Sequence, residues 1–504
     1  MTNLRESFDK FMSYQLRLSN LYNALSVLHW DSSTAMPPKG SERRSEVIGF
    51  RAEEAFLIET DPELMDLVEE LYTHLDELDD KEKAMVKKQK KDQDFKKKIP
   101  KEEYLEYNIL VSRGENVWEE AKNNNDYASF QPVLEQIVKL SRKFAEYIGY
   151  EGTPYDALLD LYEPGVAVKD LDVIFSDLRD GLVKILDRIK ASGNQFDDSF
   201  LHGKFDVAKQ EQYNRALATR LGYDFDAGVL AVSAHPFSTN FGNKDVRITT
   251  RFDENDLMMS TYSTIHETGH AIYEQNIPDD LTKTNIGGGV SMGIHESQSR
   301  FYENILGRSH SFIESEYPHL TEAFPDLKKV SVDDLHRGVN KVTPSLIRIE
   351  ADELTYSLHI IIRYELEKAL INGEVDFAKL PELWAQKYTD YLGVTPQTFS
   401  EGILQDVHWS GGMIGYFPSY ALGNLYGAQM LYKGIMRDLP DYDELVRTGR
   451  IQEITAWLKD NVHKYGATYE PSVLIERITG EKLNAKYFLD YIEEKYTKLY
   501  NLDK

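Results

Sequence analysis

The residues His266-Glu267-Thr268-Gly269-His270 stand in an apolar, helix-like context, with Ile265 before them and Ala271, Ile272 and Tyr273 after. On a helix, side chains four positions apart share one face, about 6 Å from each other. Two imidazoles so spaced can converge on one cation. Glu267, one position along, can reach a water beside that cation. Two imidazole ligands and a neighbouring carboxylate are the parts of a hydrolytic zinc centre. Zinc lowers the pKa of its water towards 7. Glu267 then takes the proton as the water attacks a peptide carbonyl, and passes it to the leaving amine.

Such a centre wants a third protein ligand and one open position. The chain has no cysteine, so the third ligand must be His or a carboxylate. The stretch Gly293-Ile294-His295-Glu296-Ser297-Gln298-Ser299-Arg300 follows a break at Pro278 and a Gly-rich turn at Gly287-Gly288-Gly289. It reads as a second helix returning antiparallel to the first, with Glu296 or His295 facing the cation. Glu296 is favoured, because a carboxylate is the commoner companion of this helix motif. Glu274, in phase with both imidazoles, is either a hydrogen-bond partner of a ligand or a surface glutamate. The developing oxyanion needs a donor besides the cation. His408, Tyr416 and Tyr420 are the downstream candidates.

The elements that must hold these residues read as helical. Apolar residues recur with a 3.6-like period over 4–28, 61–77, 101–123, 127–149, 168–191, 346–371 and 483–500. Pro and Gly punctuate them at Pro37-Pro38, Pro62, Pro100, Pro154 and Pro164-Gly165. One stretch alternates like a strand, Asp245 to Phe252. The expected fold is mainly α, a large helical body with a small β-sheet near the zinc site. The 504 residues are expected to form one domain. Within it, 1–230 is an N-terminal helical region, 231–425 carries the site, and 426–504 is C-terminal helix.

Asp plus Glu total 84 against 58 Lys plus Arg, a formal net charge of −26. Such a surface repels phosphate backbones and anionic lipid heads, so nucleic-acid and membrane partners are not expected. The lysine-rich run from Lys87 to Lys101 reads as a solvated helix face. The first residues are polar, and no stretch approaches the length and apolarity of a membrane span. A cytoplasmic protein is expected.

Six short blocks resemble the carboxypeptidase Taq family of zinc metallocarboxypeptidases, in that family's order. They are His235-Pro236-Phe237, Asp245-Val246-Arg247-Ile248-Thr249, the His266–His270 segment, His295-Glu296-Ser297-Gln298, Ile347-Arg348-Ile349-Glu350-Ala351-Asp352, and Gly402 through Trp409. His29-Trp30-Asp31 and Met36-Pro37 are similar too, less specifically. The resemblance implies a broad-specificity carboxypeptidase acting on peptides with a free C-terminus and sparing terminal proline. It implies a deep active-site groove, a homodimer, and architecture like that of neurolysin-like and angiotensin-converting-enzyme-like peptidases. It assigns zinc to His266, His270 and Glu296, with cobalt able to substitute, and the general base to Glu267. His408 and Tyr420 are assigned to the oxyanion, and His235 to the substrate backbone near the scissile bond. A terminal carboxylate calls for an Arg fork. Arg348 is preferred because it falls in the long helical stretch, which would line a groove wall; Arg247 is the second choice, or else pairs with Asp245 or Asp352. The rival enzyme reading is a zinc oligoendopeptidase on a similar scaffold. A helical binding protein with a structural metal is disfavoured, since such a site needs no base.

Overall fold

A computed structural model describes residues 4–502. Helices dominate it, and the predicted helical stretches are found close to their expected bounds. The first runs Leu4–Thr34 and stops where Pro37 and Pro38 forbid its continuation; a second, Ser41–Glu59, follows. Others are Pro62–Thr73, Lys101–Asn124, Tyr127–Ile148, Val168–Ser192 and Lys486–Tyr500. Their apolar stripes meet in one contiguous cluster of buried residues that runs from Phe8 to Leu502. No helix among the described residues is long and apolar enough to cross a membrane. Most of the lysine-rich run lies in the Asp80–Lys98 helix, where Lys87, Lys88 and Lys91 face solvent and Lys90 pairs with Asp94 at 2.6 Å.

The stretch 346–371 departs from its expectation. It is broken by Ala351 and Asp352, which adopt extended backbone. Asp352 caps a new helix, Glu353–Asn372, by accepting from the Thr355 N–H. Arg348 therefore sits on a short 3₁₀ turn, Arg348–Glu350, and not on the long helix that follows.

One small sheet is present, with three strands: β1 (Leu230–Val232), β2 (Ser238–Asn240) and β3 (Val246–Thr250). Their order is β1-β3-β2, with Leu230 parallel opposite Ile248 and Ser238 antiparallel opposite the same residue. β3 begins with the expected alternation and then becomes buried on both faces, at Ile248, Thr249 and Thr250. The Leu257–Gln275 helix covers the face of Val246, Ile248 and Thr250, where Thr250 Oγ1 lies 3.4 Å from both Ser260 O and Ser263 Oγ; on the other face Thr249 Oγ1 accepts from Ser233 Oγ and the Phe237 N–H. The sheet is thus a backing plate for the helix that carries His266 and His270.

Candidate active site

That helix starts under firm control. Asp256 precedes it, and its carboxylate accepts from the N–H groups of Met258 and Met259. The helix ends at Gln275, three residues before Pro278. The second ligand helix, Met292–Arg300, is capped by Ser291, whose hydroxyl accepts from the Ile294 N–H and donates to buried Glu163. Two glycines bring the helices together. A Cβ on Gly269 would lie 2.7 Å from Gln298 O and 2.8 Å from Ser299 Cα. A Cβ on Gly423, in the Pro418–Met430 helix, would lie 2.6 Å from Glu296 Cγ. Any larger residue at either position would push Glu296 away from the imidazoles.

His266, His270 and Glu296 form one cluster, each offering a ligand atom within 4.8 Å of the others. It is the sole such cluster among the described residues. Glu296 Oε2 lies 3.7 Å from His266 Nε2 and 3.5 Å from His270 Nε2. Two imidazoles and a carboxylate are a donor set suited to a divalent transition metal. The electrostatics suit one too. Burial disfavours charge on His266, but Glu296 and Glu303 overcome it and raise its pKa. The two carboxylates thus favour a positive charge at His266, whereas burial lowers the His270 imidazole to about 3.

The supporting contacts differ around the cluster. His266 Nδ1 is 2.8 Å from Glu303 Oε2. Glu303 lies on a widened π turn, Phe301–Leu306, that extends the second ligand helix. Arg300 Nε donates to Glu296 Oε1 at 2.7 Å, and its Nη1 donates to Glu303 at 3.2 Å. His270 Nδ1 is 2.6 Å from His295 Nδ1, and His295 Nε2 is 2.8 Å from Glu274 Oε1. Of the two residues open as third ligand, Glu296 is therefore the one in the cluster, while His295 stands behind His270. Glu267 is 6% exposed, and burial pushes its carboxyl up to about 7 against the pull of His266.

A second group of candidates gathers nearby. His408 Nε2 is 3.2 Å from Tyr420 Oη, and the Tyr416 ring meets Tyr420 edge-on at 5.1 Å. Burial, opposed by Asp406 and reinforced by Arg348 and Arg363, pushes the His408 imidazole down to about 4. Arg348 lies over the Tyr420 ring, 5.1 Å from its centroid. Its Nε and Nη2 donate to Asp406 Oδ1 at 3.0 and 2.9 Å, and its Nη1 to Tyr356 Oη at 3.3 Å. Asp406 also accepts from Arg363 Nε at 2.6 Å. Tyr356 joins the two groups, because the Arg300 guanidinium stacks 4.1 Å from its ring. A chain of contacts thus runs Glu296, Arg300, Tyr356, Arg348, Asp406.

Arg247 and His235 lie apart from these contacts. Arg247 closes on Asp245 with two bonds of 2.7 and 2.8 Å, and stacks on Phe241 and Trp30. His235 is exposed on the connection between β1 and β2. Trp30, from the N-terminal similar block, packs edge-on against Phe237 at 5.6 Å. Sequence reasoning passed over Arg300, Glu303, Tyr356 and Arg363. Arg300 and Glu303 are spaced i, i+3 beyond Glu296, a detectable signal; Tyr356 and Arg363 carried none. His463, which stands among polar residues in the sequence, is fully buried, with Nε2 2.9 Å from Gln298 Oε1.

A helical body with a His-His-Glu cluster able to hold a cation, and a buried carboxyl beside it, is an arrangement suited to a metallopeptidase. Comparison with known proteins narrows this. The profile described as Carboxypeptidase Taq (M32) metallopeptidase matches residues 10–496. Carboxypeptidase 1 of Bacillus subtilis is 48% identical over 494 residues, 98% of each chain. Thermostable carboxypeptidase 1 of Thermus thermophilus is 40% identical, covering 98% of this chain and 99% of that one. A Pyrococcus furiosus carboxypeptidase structure superposes with a TM-score of 0.95 at 38% identity, covering 98% of this chain and 99% of that one. The metallocarboxypeptidase 1 structure of Trypanosoma cruzi gives 0.94 at 34% identity, with 98% and 100% covered. The chain belongs to the carboxypeptidase Taq family, and is a metallocarboxypeptidase.

Proposed function

We propose that this enzyme is a zinc-dependent carboxypeptidase that releases residues from free peptide C-termini with broad side-chain tolerance, using Glu267 as general base. The carrying observation is the convergence of His266, His270 and Glu296 beside buried Glu267. The 3.5 and 3.7 Å separations leave room for one ion held by all three side chains, and a two-imidazole, one-carboxylate set suits zinc. Cobalt is expected to substitute.

When bound, the cation polarises the scissile carbonyl and makes a water acidic. Glu267 accepts that proton and returns it to the leaving amine. Burial raises the Tyr420 pKa, so its phenol stays protonated and can donate to the oxyanion. His408 orients that phenol through Nε2. Arg348 receives the terminal carboxylate. One Asp406 carboxylate bridges two guanidiniums, so the three groups together keep a net positive charge. The 3.3 Å bond to Tyr356 is Arg348's longest, which leaves Nη1 the N–H most easily redirected. With Arg247 closed on Asp245, its part is secondary. His235, exposed on its loop, is assigned to the substrate backbone. The whole chain is read as one functional unit, working as a cytoplasmic homodimer.

One peptide as free acid and as C-terminal amide tests this reading against an endopeptidase. The free acid should be shortened from its end, and the amide should resist. Equal cleavage of both would establish the endopeptidase. Chelation should abolish turnover in either case, and added Zn²⁺ should restore it.

A further inference from the structure

The two metal-facing imidazoles are supported differently. His266 Nδ1 meets a carboxylate directly, at Glu303. His270 Nδ1 meets a second imidazole, His295, which in turn meets Glu274. Glu274 is itself fixed: Gly289 N donates to Oε1 at 3.0 Å, and Asn240 Nδ2 donates to Oε2. A carboxylate only accepts, so the proton between His295 and Glu274 must sit on His295 Nε2. A neutral His295 then has a bare Nδ1, which can only accept. Two ring nitrogens 2.6 Å apart need one proton between them, and when His295 carries only its Nε2 proton it comes from His270 Nδ1. The lone pair of His270 is thereby placed on Nε2, the atom that faces Glu296 at 3.5 Å. The His295 ring is held in register by Tyr273, whose ring centroid lies 5.1 Å away.

We propose that His295 is a positioning residue: together with Glu274 it imposes on His270 the tautomer that presents Nε2 to the metal. This rests on His270 being a metal ligand. The carboxylate's influence is passed through a neutral ring, whereas on His266 it acts at first hand.

The test uses the full-length enzyme, with Zn²⁺ affinity read by chelator competition and the visible absorption of the Co²⁺-substituted protein as a spectroscopic readout. His295→Ala removes the acceptor. It is expected to weaken Zn²⁺ binding about 10–100-fold and to alter the Co²⁺ spectrum. His295→Asn places an amide oxygen near the position of Nδ1, which restores an acceptor; affinity should return to within a few-fold of wild type. Thermal unfolding of the metal-free variants separates loss of fold from loss of affinity. Unchanged affinity and spectrum in His295→Ala, or no recovery in His295→Asn, would overturn the proposal. Undiminished affinity in His270→Ala would instead remove the ligand assignment beneath it.

Discussion

The metal-binding half of the site and its arginine half are built by different means. His266, Glu267 and His270 share one helix, whose pitch sets their spacing before any tertiary contact forms. Arg348, Asp406 and His408 lie on a 3₁₀ turn and an irregular segment, with no regular element to space them. Buried polar groups do that work. Gln405 accepts from the Arg348 N–H at 3.0 Å and donates to Leu346 O at 3.0 Å. Glu367 accepts from Trp409 Nε1 at 2.7 Å, Tyr155 Oη at 2.6 Å and Gly415 N at 3.1 Å, which anchors the loop around His408. Repetitive structure positions chemistry through local bonds. A loop must borrow rigidity from satisfied buried networks, and one broken partner is felt widely.

This contrast sets the size and kind of response to mutation. Glu267→Gln removes the proposed base from a frame that stays intact. Turnover should fall about 10²–10⁴-fold, with Zn²⁺ affinity little changed. Full activity would exclude Glu267 from proton transfer. In the arginine half the frame itself should fail. Asp406→Asn leaves Arg348 and Arg363 buried without a counter-charge. Burial would raise the Asp406 carboxyl, yet Arg363 and Arg348 hold it well below the usual range. Urea unfolding should show a loss of about 3–5 kcal/mol. A loss below 1 kcal/mol would mean the loop is held by other contacts.

Arg348→Ala should raise KM for free-acid peptides about 10–100-fold and leave metal content unchanged. Unaltered kinetics would pass the carboxylate role to Arg247. A pH-dependent effect on stability concerns His463, which braces Gln298 on the second ligand helix. Burial lowers its pKa to about 3, against about 6.5 when unfolded. The unfolded chain therefore binds the extra proton first. Stability from this group is complete above about pH 6.5 and is lost as pH falls towards 3, by about 1.4 kcal/mol per pH unit. His463→Gln should flatten the stability-versus-pH curve by that slope in this window, measured by urea unfolding. An unchanged slope would place the titration elsewhere.

Legibility in the sequence followed the same division. The helices appeared through their apolar period, and β3 through alternation, because each pattern repeats within a few residues. The His266–His270 pair was legible for that reason. Arg348 was placed on the wrong element because an apolar period ran through residues 346–371, while the break depended on Asp352 capping the next helix. The burial of His463 was not legible, because its polar neighbours in sequence are not its neighbours in space; there it meets Gln298 and the Tyr273 ring. The roles of Gly269 and Gly423 required knowledge of which backbone approaches each of them.

What the sequence determined by itself is the chemistry available: two imidazoles one helical turn apart, a carboxylate between them in the chain, no thiol, and the ordered blocks of a known family. The tertiary structure decided which groups share a pocket. It selected Glu296 over His295 for the cluster, set Glu303 behind one imidazole and His295 with Glu274 behind the other, and gave Arg348 to Asp406. Those choices depend on helices meeting through glycine and on buried polar groups finding partners far along the chain, and no local periodicity encodes either.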